Sequence, residues 1–62
     1  MEDFSVNGKP AFKIFADKVK AFDKATLFDC EGDRVWLPNS SFTILDDKTI
    51  LIQEWIYNEK FN

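Results

Sequence analysis

Three polar turns divide the middle of this chain: Asp-Lys at 23–24, Glu-Gly-Asp at 31–33 and Asp-Asp-Lys-Thr at 46–49. They leave apolar runs of four to six residues, "ATLFDC", "RVWL", "SFTIL" and "TILI", rich in β-branched and aromatic side chains. Such runs fit strands of a pleated, half-buried surface. The first turn places two polar residues between two apolar runs, as a tight hairpin requires. The second contains Gly32, which takes positive φ without steric cost, and reads as a three-residue bulged loop. In the third, aspartate side chains can bond their own backbone. Pro38 cannot donate to a ladder, so it ends "RVWL" and sends the chain round a corner that Ser40 and Ser41 can cap locally.

The flanks are less determinate. Residues 1–10 hold a turn signal, Asn7-Gly8, and Pro10 with little periodicity, and are expected to form a flexible N-terminal arm ahead of a single small β domain over 11–62. In "AFKIFADKVKAF" (11–22), Phe12, Phe15, Ala16, Val19 and Phe22 fall at helical spacing, whereas "KVKAF" alternates like a strand. The hairpin that follows favours a strand over 18–22 and leaves 11–16 open between helix and strand. At the other end, "QEWIYNEKFN" carries no turn residue before Asn58 and predicts a helical turn or two over 53–60. The expected fold is mainly β: about five antiparallel strands in a meander, curled into a small SH3-like or OB-like barrel to hide their edges, with a short C-terminal helix.

Size constrains the energetics. A chain of 62 residues buries only about 60% of the surface its unfolded form exposes. A core this small rarely yields more than about 3–5 kcal/mol, so mini-domains commonly add disulfides, metals or partners. Cys30 is the single cysteine and there is no histidine, which excludes an internal disulfide and a Cys/His zinc site. No cofactor is expected. Stability must come from apolar residues, with seven Phe and two Trp foremost, or from covering surface by self-association or a partner. The opening "MEDFSVNGKP" is acidic and polar where a leader would be basic and then apolar, and no window approaches a membrane span. A cytoplasmic protein without membrane contact is the expectation. The net charge is −3, with five lysines against four acids in residues 1–24 and seven acids against three bases thereafter. Gripping a phosphate backbone by bulk charge is therefore disfavoured, although a local basic strip remains available.

Period-2 alternation with the three-residue loop divides the strands into two faces. Val19, Ala21, Ala25, Leu27, Val35, Leu37, Phe42 and Ile44 form an aliphatic core face. The opposite face carries the candidate binding residues Lys18, Lys20, Phe22, Phe28, Arg34 and Trp36, together with Thr26 and Cys30. Two readings compete for it. In one, the terminal helix lies over this face and Phe28 and Trp36 pack beneath Trp55 and Ile56, with cations at the rim. In the other, part of the face is open, and its cations and rings bind a protein or single-stranded nucleic acid. Packing is the favoured reading for Phe28, and Trp36 stands between the two. Trp55, flanked by Ile52 and Ile56, is expected to dock on the sheet as core.

Catalysis finds no constellation. Asp46-Asp47 and the Glu31/Asp33 pair sit in turns, where solvated carboxylates lack the burial that tunes a pKa for acid–base work. Ser40 and Ser41 have no histidine to activate them. Asp29 and Glu31 flank Cys30 and oppose thiolate formation. "DCEGD" lacks the spaced ligands of a calcium loop.

The run "DKATLFDCEGDRVWLPNSSFTILDDKTILIQEWIYNEKF" (23–61) resembles a small module of phage and bacterial accessory proteins. The resemblance rests on Lys24, Ala25, Gly32, Val35, Trp36, Leu37, Pro38, Ser40, Glu54 and Trp55, that is, on Val-Trp-aliphatic-Pro-x-Ser followed by Glu-Trp. It implies a compact β fold and work alongside nucleic-acid-processing or host-directed proteins, with no defined activity. The functional expectation is a non-enzymatic accessory or regulatory module, phage- or mobile-element-encoded, acting through a protein partner. Single-stranded nucleic-acid binding through the basic-aromatic face is the alternative.

Overall fold

The computed structural model describes residues 4–61. Its first turn is set by Asn7-Gly8, both at positive φ (51° and 78°), the backbone of a two-residue hairpin turn. The turn joins β1 (Phe4–Val6) to β2 (Lys9–Phe15), with Val6 opposite Lys9 and Phe4 opposite Ala11. Residues 4–10 are therefore hairpin rather than a loose arm, while residues 1–3 of the expected arm lie outside the described residues. Pro10 is accommodated because the β7 ladder begins one residue later, at Ala11 opposite Gln53.

The remaining elements are β3 (Asp17–Ala21), β4 (Ala25–Cys30), β5 (Asp33–Pro38), a single 3-10 turn (Asn39–Ser41), β6 (Phe42–Asp46), β7 (Thr49–Gln53) and α1 (Glu54–Phe61). They form a four-stranded sheet ordered β1-β2-β7-β6 and a three-stranded sheet ordered β3-β4-β5, antiparallel throughout. The protein is mainly β, with one sheet curled into a half-barrel and a single C-terminal helix. Only Ala16 separates β2 from β3, so the chain passes from one sheet to the other at that residue, whose N–H donates to the Lys48 carbonyl (2.9 Å).

Seven strands stand where about five were expected, and residues 9–15 are strand, not helix. The reason is tertiary. All five positions of β7 are buried, so this strand needs a ladder on both edges, and β2 supplies one while β6 supplies the other. The helical spacing of Phe12 and Phe15 does not mark a buried stripe: both rings are exposed. The topology is also not a simple meander, since β7 returns to pair with β2 across most of the chain.

Alternation along β7 splits the core in two. Ile50 and Ile52 join Ala16, Phe28, Leu37 and Ile56, with Phe42 edge-on to Phe28 at 4.9 Å. Leu51 joins Val6 and Ala11 on the other side. Ile56 is the buried residue of α1, and the helix carries Glu54 in its first turn and Lys60 in its last, both favourable to its dipole. Val19 and Ile44, expected in the core, are exposed because β3 and β6 are edge strands of their sheets. Among the described residues, no helix is long and apolar enough to cross a membrane.

Candidate functional site

The geometry of the outer face is decided by one turn. Glu31 and Gly32 both take positive φ (54° and 92°) and Cys30 pairs directly with Asp33. The loop thus has two residues instead of the expected three, and the Asp29 carboxylate secures it by accepting from Gly32 N–H (2.8 Å). One residue fewer shifts the β4–β5 register by one, so β4 turns its other face to the core while Val35 and Leu37 of β5 keep theirs. Phe28 now stands opposite Val35, and Leu27 opposite Trp36. Phe28, at 1% exposure, is core, and its placement in the binding set is corrected. Leu27, expected inside, lies on the outer face beside Trp36.

A second irregularity separates the two lysines of β3. The β3–β4 register shifts between Lys18 and Lys20, so that Lys18 opposes Phe28 and Lys20 opposes Leu27. A bulge of this kind re-aims side chains that simple alternation would keep together. Lys18 instead borders a cleft with Ala16, Asp17, Ile44 and Asp46, away from Trp36, and its place on the shared face is corrected too. Arg34 remains on the face of Trp36 but sits at the hairpin tip, opposite Asp29 in the ladder.

Lys20, Phe22 and Trp36 do converge. Lys20 Nζ lies 5.3 Å from the Phe22 ring centroid, within cation–π range, and the Phe22 and Trp36 rings are 5.4 Å apart. Asn39 holds this end of the sheet. Its Nδ2 donates to the carbonyls of Phe22 (2.9 Å) and Asp23 (3.0 Å), its Oδ1 accepts from Thr26 Oγ1 (2.8 Å), and its N–H donates to Lys24 O (2.9 Å). The β3–β4 turn is thereby tied to the corner after Pro38, where Ser41 Oγ donates to the Pro38 carbonyl (2.7 Å).

Trp55 is not core. It is 49% exposed, against 47% for Trp36, and the two indoles line one groove of about 350 Å³. Ala25, Pro38 and the buried Ile56 complete its apolar surface, and Lys24 and Lys60 stand on its rim with Glu59. The Trp55 indole N–H donates to Gln53 Oε1 (2.5 Å), and the buried Gln53 Nε2 donates to Val6 O (2.7 Å). The ring is thus set by a side chain anchored in the N-terminal hairpin. Sequence reasoning missed Trp55, Lys24 and Lys60 as site residues. One local signal existed: in an eight-residue helix Ile56 takes the buried stripe, while Trp55 has the charged Glu59 four residues on, the mark of a solvent-facing flank.

The carboxylates behave as turn groups. Asp46 is held below the usual aspartate range by bonds from Lys48 N–H (2.9 Å) and from Thr49. The Cys30 thiol is pushed up by burial first, then by Asp29, Asp33, Glu31 and Asp17. Among the described residues, no group of three or more His, Cys, Asp or Glu side chains is placed to hold a metal ion. No protein-family model matches this chain, and comparison with curated proteins and with solved structures finds no match.

Proposed function

We propose that this chain is a non-enzymatic accessory or regulatory binding module that receives a protein segment in the Trp36–Trp55 groove. The observation that carries the reading is the pair of half-exposed indoles lining one groove over Ile56. Tryptophan leads among interface hot spots because a large, rigid ring gains most when water is removed around it. The lysines at 20, 24 and 60, in a chain of net charge −3, suit a segment bearing apolar and acidic side chains. Turn-bound carboxylates, a thiol kept protonated and a sequence without histidine support the absence of catalysis. The resemblance of residues 23–61 to small phage and bacterial accessory modules agrees with this role.

Affinity capture from a native lysate, run with and without nuclease, tests the reading. The expected partner survives nuclease and is lost with Trp36→Ala and with Trp55→Ala while both variants stay folded. Retention by both folded variants would remove the groove from the reading.

The row Lys20–Phe22–Trp36 favours one second reading, single-stranded nucleic acid, whose bases stack on rings while cations track phosphates. It ranks second because the acidic C-terminal half of the chain opposes a phosphate backbone. Titration with oligothymidylate, followed by tryptophan quenching at low and high salt, decides it: salt-sensitive quenching supports nucleic acid, and an unchanged spectrum eliminates it.

A further inference from the structure

We propose that a second copy of this chain docks head-to-tail, the Phe15 ring of one copy entering the Trp36–Trp55 groove of the next. The inference rests on the groove being a binding surface and names an occupant for it.

Phe15 is the most exposed large apolar side chain of the described protein, at 72%. It ends β2, next to the bend at Ala16, and is ringed by carboxylates. Asp17, Asp29 and Glu31 share a shallow depression with it, where Lys48 is the single cation, and Glu31 and Asp33 border it on the side of Tyr57 and Phe61. The same four acids, after burial, push the Cys30 thiol up, as their shared negative field at this end of the β4–β5 hairpin must. The groove offers the complement: apolar walls of Trp36, Pro38 and Trp55 with Lys24 and Lys60 against Glu59. An acid-ringed aromatic side chain therefore matches a lysine-rimmed aromatic groove in chemistry and in charge.

The contact cannot be made within one molecule. Phe15 shares its cleft with Tyr57 and Phe61, while the groove uses Trp55, Glu59 and Lys60, so α1 presents the two features on different flanks with Ile56 buried between them. Neither feature uses a residue of the other, so one copy can donate its ring and receive another at once. Such a heterologous contact propagates into rings or open chains and does not stop at an isologous dimer. Exposed single apolar residues are common in monomers. What lifts Phe15 above that background is the charged ring around it and a complementary groove on the same chain.

Sedimentation velocity over a concentration series at low salt tests the proposal. The wild-type chain is expected to grow beyond a dimer as concentration rises and to dissociate towards monomer in high salt, which screens the charged rims. Phe15→Glu, at a position exposed enough to leave the fold intact, and the double variant Lys24→Glu/Lys60→Glu should each stay monomeric. Mixed together, these two should form a complex that stops at one of each, because the first keeps the groove and the second keeps the ring. A monomeric wild-type chain at all concentrations, association unchanged by Phe15→Glu, or a mixture that fails to pair would each overturn the proposal. Partner capture separates it from the functional reading: Phe15→Glu should still capture a partner that Trp36→Ala loses.

Discussion

Phe28 and Trp36 lie on different faces of the same hairpin, and truncating each to alanine should separate them cleanly. Phe28 is fully buried against Leu37, Ile50 and Ile52 and edge-on to Phe42. Deleting a buried phenylalanine ring costs about 3–5 kcal/mol, the transfer loss plus a cavity. A domain of this size holds about 3–5 kcal/mol in total, so Phe28→Ala should leave the chain largely unfolded at 25 °C. Trp36 is about half covered, roughly 100 Å² of its ring, and alanine would keep part of that cover. At about 25 cal/mol per Å² the loss is about 2 kcal/mol, with no cavity because the site opens to water. Its contact with Phe22 at 5.4 Å is included in that figure. Trp36→Ala should therefore melt at lower temperature but remain folded at 25 °C. The assay is thermal and urea unfolding followed by far-UV circular dichroism, which does not depend on the tryptophan removed. If Trp36→Ala unfolds the chain as completely as Phe28→Ala, the two-residue turn and the register derived from it are wrong.

Gly32→Ala should cost about 1–2 kcal/mol by forcing a Cβ into the left-handed region, since φ is +92° and nothing lies within 4 Å of the added atom; a semisynthetic chain with D-alanine there should regain the loss. Asn39→Ala removes three side-chain hydrogen bonds and, at about 1 kcal/mol net for each such bond, should lower the urea midpoint and broaden the NMR resonances of Phe22 and Asp23; unchanged resonances would show that the turn is held otherwise. Burial and then four carboxylates raise the Cys30 pKa, so the folded chain holds that proton more tightly than the unfolded one. Its contribution to stability is full below the ordinary thiol pKa and is lost as pH rises through the folded value. Urea midpoints of the wild-type chain should fall at alkaline pH more steeply than those of Cys30→Ser, and parallel profiles would refute this.

Sequence alone determined the β class, the terminal helix and the positions of the turns. Those features are local: β-branched and aromatic runs favour pleated surface, Pro38 cannot continue a ladder, and Gly8 and Gly32 mark positive φ. The ends of α1 differ from the expected 53–60 by one residue, well within what fraying helix ends allow. Lys20, Phe22 and Trp36 share a face, as alternation along β3 and β5 suggested, but the β4 residue between Lys20 and Trp36 is Leu27 and not the expected Phe28, because the 30–33 loop has two residues.

Tertiary structure decided the rest. The number of residues in the 30–33 turn is fixed by a Glu-Gly pair at positive φ, a conformation in which glutamate is uncommon, and a shift of one residue turns Phe28 of β4 inward and Leu27 outward while β5 keeps Leu37 in the core and Trp36 outside. The bulge at Val19 leaves no mark in composition, yet it parts Lys18 from Lys20. Strand identity for residues 9–15 came from the need of fully buried β7 for a second ladder partner nearly forty residues away in the chain, which no local window contains. The groove has the same origin. Trp36 and Trp55 lie in different elements, and only the placement of α1 by Ile56 in the shared core brings their two rings to one surface.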